Sequence, residues 1–342
     1  MAIEATQELE ARLAPTTDWD VMARADLVIE AVFEDLNVKR EVFRRIDAIA
    51  RPGAVLATNT SYLDVDAIAA ATTRPRDVIG LHFFSPANVM RLVEVVRGSA
   101  TAPDALATGL AVARRLRKLP VVTANAFGFI GNRIYSAYRR QCEFMLEEGA
   151  LPEQVDQALE AFGFAMGPFA VADMSGLDIA WRMRQAQAAD RDPADRYVTI
   201  PDALCEAGRF GRKTGAGYYA YAADGSGRRP DPTVDAVIEA ASRQKGIERR
   251  TLDAAEIQRR ALLAIVNEAA CLLAEGVASH ATDCDVVLVN GYGFPKWEGG
   301  PVFWARERGR ELLAQDIDWL AQRSGPGFRR GALATLFEET ST

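Results

Sequence analysis

His82 closes the apolar run Val78-Ile-Gly-Leu-His-Phe83. Glu94 stands inside a second run, Val89-Met-Arg-Leu-Val-Glu-Val-Val96, across the turn Ser85-Pro-Ala-Asn88. Paired as a hairpin, the two runs would bring the carboxylate to the imidazole. A carboxylate in so apolar a strand needs a partner, because burying it alone is costly. Beside His82 it would fix the ring tautomer and raise the basicity of the other nitrogen, as an orienting acid does for a general base. Two structural alternatives stand next to this reading: an ion pair of Glu94 with Arg91 or Arg97, and a hydrogen-bonded core histidine at 82. The chain has two histidines, His82 and His280, so a His-rich metal site is excluded.

Other polar groups fall at the same kind of position. Glu34 follows the apolar run Ala25–Val32, and Asn59-Thr60-Ser61 follows Ala54–Thr58. Open α/β sheets bind ligands beyond the carboxyl ends of their strands, so groups converging there from separate strands form a candidate site. Glu34, Asp35 and Lys39 also read as an ordinary helix start, with acidic groups in the first turn and an i,i+4 pair. Asn132, in Gly128-Phe-Ile-Gly-Asn-Arg133, opens a helix, where asparagine is commonly a cap. The segment Gly211-Arg-Lys-Thr-Gly-Ala-Gly-Tyr-Tyr-Ala220 holds a GxGxxA match and Lys213. No apolar strand precedes it and aromatic residues replace the following helix, so it is not a dinucleotide fingerprint.

The elements that must position these groups alternate in type. Strand-like runs at 25–32, 54–58, 78–84, 89–96 and 121–122 alternate with helical patterns at 34–50, 64–71 and 103–118, and Leu13–Asp18 is strand-like as well. This order argues for βαβ units in a largely parallel sheet. From Phe127 onward helices dominate, at 129–147, 152–162 and 253–276. Residues 163–178 look turn-like, and 222–232 look like an exposed linker. Leu146-Glu-Glu-Gly149 and Leu273-Ala-Glu-Gly276 share an offset that Asp156 and Asp283 keep. Gly-Phe-Ala-Met-Gly-Pro168 and Gly-Phe-Pro-Lys-Trp-Glu-Gly-Gly-Pro301 then match after a short insertion. The matches suggest a duplicated helical unit, whose copies would pack their apolar faces together; the alternative is coincidence between two glycine-terminated helices.

The 342 residues, 49% hydrophobic and 25% charged, exclude collagen, coiled coil and wholesale disorder. A net charge of −7 lacks the basic footprint of a nucleic-acid protein. The most apolar stretch, ALLAIVNEAACLLAEGVA, is broken by Asn267 and Glu268 and is no membrane span. Four cysteines form no CxxC pair and the start has no secretory pattern, so they read as reduced thiols in a cytoplasmic setting.

The segments ADLVIEAVFEDLNVKREVF, ATNTSYLDV, GLHFFSPANVMRLVEVV, GFIGNRI and MGPFAVADMSGLD, in this order, resemble the L-3-hydroxyacyl-CoA dehydrogenases. NGYGFPKWEGGPVF is similar to the multifunctional β-oxidation proteins, in which the helical domain is duplicated. The resemblance spans about Ala11 to Arg310. It implies an incomplete Rossmann-like NAD-binding domain followed by two repeated helical domains of the 6-phosphogluconate-dehydrogenase C-terminal type. The boundaries it suggests are 1–125, 126–221 and 253–342, with 222–252 as a linker region. The family's front strand and GxGxxG turn have no match, so the chain reads as an N-terminally truncated member.

The implied reaction is NAD-dependent oxidation of L-3-hydroxyacyl-CoA to 3-ketoacyl-CoA. The alternative is a non-catalytic acyl-CoA-binding or assembly fragment. By resemblance His82 is the catalytic base, Glu94 its partner, and Ser61 and Asn132 the groups around the reacting oxygen. Val32, Phe33, Glu34, Lys39, Ser61, Ser85 and Lys213 match cofactor positions, although many members carry asparagine at Ser85. Ser61, Asn132 and Tyr292 match substrate contacts. The implied partners are acyl-CoA and a thiolase or a missing N-terminal domain, with no nucleic acid and no metal.

Overall fold

The computed structural model describes residues 10–222, 224 and 227–338. They divide into two compact units. One holds the described residues up to Phe83 and Val93–Pro120; the other holds Phe84–Leu92 and the described residues from Val121 on.

The first unit is built on a sheet. Its elements are β1 (Leu27–Glu30), α1 (Leu36–Ile49), β2 (Val55–Thr58), α2 (Val65–Ala69), β3 (Val78–Phe83), β4 (Leu92–Arg97), α3 (Pro103–Arg115) and the start of β5 (Leu119–Ala124). These five strands form one sheet in the order β1-β2-β3-β4-β5. β1, β2 and β3 run parallel, and β4 turns back antiparallel on β3 with His82 opposite Glu94. Helices cover the sheet, so β2 is buried at every residue instead of alternating. Asp35 starts α1 by accepting hydrogen bonds from the Asn37 and Val38 amides. Phe43 and Ile46, one turn apart, form its buried face. Burying each such side chain stabilises the unit by about 1.5–3 kcal/mol.

Two expectations here need correction. Leu13–Asp18 is not a strand: Pro15 lacks an amide donor, and Asp18 instead caps a 3-10 turn at Trp19–Arg24. β4 starts at Leu92, because the Val89 and Met90 amides are used on the Pro86 carbonyl in the preceding turn.

The second unit is helical. Its helices are α4 (Gly131–Glu148), α5 (Pro152–Phe162), α6 (Pro168–Ser175), α7 (Leu177–Ala186), α8 (Ile200–Glu206), α9 (Pro232–Gln244), α10 (Ala254–Ala274), α11 (Ala281–Gly291), α12 (Pro301–Arg308) and α13 (Arg310–Ser324). α4 and α10 pack against each other along their length. Ile134, Tyr138, Met145, Leu262, Ile265, Val266 and Leu272 lie in one buried cluster, as the duplicated stripes require.

The repeat shows a register change that the sequence match conceals. Asp156 accepts hydrogen bonds from the Phe169 and Ala170 amides at the start of α6. Its counterpart is not Asp283, which accepts the His280 amide, but Asp285, which accepts the Val302 amide at the start of α12. Counted from the aligned Gly149 and Gly276, α11 starts two residues later than α5 does. In both copies the glycine before the capped helix packs on the carboxylate: a Cβ on Gly167 would lie 2.3 Å from Asp156 and one on Gly300 2.4 Å from Asp285.

This long-range cap explains a second difference. The expected turn at 163–178 contains α6 and the start of α7, because Pro168 opens α6 and a carboxylate from α5 satisfies its amides. The stretch 222–252 carries α9, whose Val234, Ile238 and Ala241 are buried at helical spacing. Positions 223, 225 and 226 of the expected linker lie outside the described residues. Among the described residues no helix is long and apolar enough to cross a membrane.

Candidate active site

The sheet of the first unit delivers its polar groups at the carboxyl ends of β1, β2 and β3. His82 is 5% exposed, and its Nδ1 lies 2.7 Å from Glu94 Oε2. Antiparallel pairing sets this contact directly, since the two residues are cross-strand partners. Glu94 is wholly buried, and the histidine answers the demand that its position makes for a partner. A carboxylate can only accept, so Nδ1 carries the proton and the other ring nitrogen, Nε2, carries the lone pair. The Phe83 amide donates to Asn59 Oδ1 at 3.1 Å, tying the end of β3 to the end of β2.

Glu34 does more than start a helix. Its Oε1 accepts from the Thr60 hydroxyl at 2.6 Å, the Ser61 amide at 2.8 Å and the Tyr62 amide at 3.2 Å. One carboxylate therefore shapes the loop that carries Ser61. Beneath it sits Lys39, buried completely, with its ammonium 2.7 Å from Glu30 and 3.5 Å from Glu34. The resemblance makes Lys39 a cofactor contact. Burial assigns its charge to these two carboxylates, and it bears on the rim through Glu34. Glu30 escapes the sequence reading, although it carries the signal that singles out Glu94: a carboxylate in an apolar strand. It also takes hydrogen bonds from the Thr58 hydroxyl and the Val32 amide.

In the second unit, Asn132 is the second residue of α4. The Tyr292 hydroxyl, at the end of α11, donates to Asn132 Oδ1 at 2.7 Å. The Tyr292 ring stacks on Tyr135 at 5.5 Å and meets Phe84 edge-on at 5.6 Å. Lys213, half exposed, pairs with Asp178. That cation holds the Asp178 carboxyl below its usual range against a burial effect that raises it. Ser85 is exposed. His280 stands apart from these groups as the exposed N-cap residue of α11.

Three carboxylates, the buried Asp156 and Asp173 and the half-buried Asp285, are pushed up to about 6 by desolvation, against the hydrogen bonds they accept. Asp173 takes the Tyr218 and Tyr219 amides and the Tyr221 hydroxyl, and so anchors the 211–221 segment. All three are occupied by the fold. Among the described residues no group of His, Cys, Asp and Glu could hold a metal ion.

Residues 1–126 match the family model "3-hydroxyacyl-CoA dehydrogenase, NAD binding domain", and residues 128–221 match "3-hydroxyacyl-CoA dehydrogenase, C-terminal domain". Among solved structures, the chain is similar to (S)-3-hydroxybutyryl-CoA dehydrogenase from Ralstonia eutropha. Identity is 33%, the TM-score is 0.60, and the match covers 65% of this chain and 80% of that one. The chain belongs to the 3-hydroxyacyl-CoA dehydrogenase family. A wider match is 3-hydroxybutyryl-CoA dehydrogenase from Escherichia coli: 26% identity, TM-score 0.77, over 95% of this dehydrogenase-family chain and 84% of that one.

The peroxisomal bifunctional enzyme of Homo sapiens is 46% identical over 304 residues, which are 85% of this chain and 42% of that protein. The chain thus spans about two fifths of the length of the curated relatives it matches. The expected cytoplasmic location is corrected by these relatives, since those 44–46% identical are named for the peroxisome. Buried cysteines outside any disulfide suit any reducing compartment and do not tell one from another.

The rim residues fit the NAD that the matched domain implies. Val32 and Phe33 expose apolar surface, 41% and 85%, directly beside the Glu34 carboxylate and the Ser61 loop it holds. Exposed apolar side chains next to hydrogen-bonding groups at a strand's carboxyl end suit the rings and hydroxyls of a dinucleotide.

Proposed function

We propose that the chain catalyses NAD-dependent oxidation of L-3-hydroxyacyl-CoA to 3-ketoacyl-CoA in fatty-acid β-oxidation. The observation that carries this reading is the buried His82–Glu94 pair at the carboxyl end of β3. Nε2 of His82 takes the proton of the C3 hydroxyl as the C3–H bond breaks and the carbonyl forms. Glu94 holds the ring in the tautomer that leaves Nε2 basic and stabilises the imidazolium that results. Bound NAD would supply the acceptor for the hydride that leaves C3. Ser61 and Asn132 hydrogen-bond the oxygen while it changes from hydroxyl to carbonyl. Val32, Phe33, Glu34 and Ser61 hold the cofactor, with Ser85 and Lys213 as further contacts. Tyr292 bears on the substrate side.

We read residues 1–125, 126–221 and 253–342 as the cofactor domain and the two helical domains. The relatives' names as peroxisomal bifunctional enzymes, and the two fifths of their length that this chain spans, support a further enzymatic domain as partner and a peroxisomal location, with a thiolase as the other partner candidate. His82→Ala should lower kcat/KM for 3-hydroxyacyl-CoA by about 10²–10⁴-fold while the fold survives. A value within threefold of wild type would sink the assignment and favour a non-catalytic acyl-CoA-binding role.

A further inference from the structure

We infer that Tyr292, from the second helical copy, is a positioning residue for Asn132 of the first. It holds the amide so that N–H donors, and not the carbonyl oxygen, are offered to the C3 oxygen of the substrate. The inference rests on the role proposed above for Asn132 and adds the device that makes that role possible.

An asparagine amide has two faces of opposite character, a carbonyl oxygen that accepts and an NH2 that donates. Only the donor suits a developing carbonyl. The wrong flip would set two oxygen lone pairs against each other. At 2.7 Å, the Tyr292–Asn132 contact has the length of an O–H···O bond, shorter than is usual for N–H···O. The phenol thus donates to Oδ1 and commits that side of the amide, which turns Nδ2 the opposite way.

The phenol is itself held. Tyr135 stacks on one side of the ring and Phe84 meets it edge-on. Gly131 admits it: a Cβ there would lie 2.6 Å from ring carbon Cε2 and 3.0 Å from the hydroxyl oxygen. Gly131 is the residue before Asn132, so the close approach that brings the phenol to the amide is written next to the residue it serves. Asn132 belongs to α4 and Tyr292 to the end of α11, so the second copy supplies a part that the first copy lacks.

The test is a double-variant cycle in the purified protein, following NADH oxidation with acetoacetyl-CoA and, independently of turnover, acetoacetyl-CoA binding by calorimetry. Asn132→Ala should lower kcat about 10²-fold. Tyr292→Phe keeps the ring and its packing, so kcat should fall about 5–20-fold with KM within twofold and an unchanged melting temperature. The double variant should match Asn132→Ala within twofold, since without the amide the hydroxyl has nothing to orient. Multiplying losses, an unaffected kcat in Tyr292→Phe, or a raised KM with kcat preserved would overturn the inference and leave the proposed function standing. An Asn132→Ala variant as active as wild type, or a wild-type protein that neither turns over nor binds acetoacetyl-CoA, would overturn the proposed role of Asn132 and this inference with it.

Discussion

The two helical copies share a frame and differ in what they place on it. Each sets one carboxylate, the buried Asp156 or the half-buried Asp285, under the first turn of the next helix, and each presses a glycine against it. Aligned on Gly149 and Gly276, the position of Asn132 in α4 falls on Arg259 in α10. Arg259 donates to Asp316 at 3.1 Å and lies 3.9 Å over the Trp319 ring. The neighbouring pair, Arg133 and Arg260, has diverged too. Arg260 is fully buried and bonded to Gln141 and Glu148 of α4, which joins the copies. Duplication thus retained what folds the unit, while the matched position holds Asn132, proposed for the reaction, in one copy and the packed Arg259 in the other.

The sharpest way to break this contrast is to alter the matched positions. Asn132→Ala should cost about 10²-fold in kcat with little change in melting temperature, as loss of a transition-state donor does. Arg259→Ala should leave kcat within twofold and destabilise by about 1 kcal/mol through lost pairing and stacking. Equal effects on activity would show that both copies serve the reaction. Arg260→Met should be the costlier structural change, about 3 kcal/mol in a denaturant titration, because Glu148 and Gln141 lose a buried partner.

A pH series compares the carboxylates. Asp156 and Asp285 sit near 6 in the folded chain, above an ordinary 3.8. Between about pH 4 and 6 the folded state therefore binds more protons than the unfolded one. Stability falls as pH rises through that window, by about 2–3 kcal/mol per group. Asp156→Asn and Asp285→Asn should each flatten the melting temperature against pH over this range, and flattening in one copy alone would separate the two frames. The smallest effect belongs to Lys213, near the end of the first copy. Lys213→Met removes a half-exposed pair with Asp178 and should shift stability by less than about 1 kcal/mol in the same titration.

Much of the site is legible in the sequence. His82 and Glu94 read as a pair because a carboxylate in an apolar strand must be answered by something nearby in sequence or across a turn. Glu30 obeys the same rule, yet its partner Lys39 lies on a helix whose amphipathic pattern makes the lysine look solvated. α6 reads as a turn for a related reason. Its short glycine-flanked sequence has weak helical periodicity, and the carboxylate that caps it comes from α5.

The amino-acid sequence alone determined the alternation of strands and helices, the duplication, and the family to which the chain belongs. These depend on spacing, apolar periodicity and short motifs, all of which are local properties of the chain. Tertiary structure decided which acceptor answers which donor: Glu34 over the Ser61 loop, Asp285 instead of Asp283 at α12, and the Asn132 amide oxygen for the Tyr292 hydroxyl. Those choices depend on hydrogen-bond contact between segments far apart in the chain. A two-residue shift between the glycine and the next helix moves the capping carboxylate from Asp283 to Asp285, and no periodicity records it.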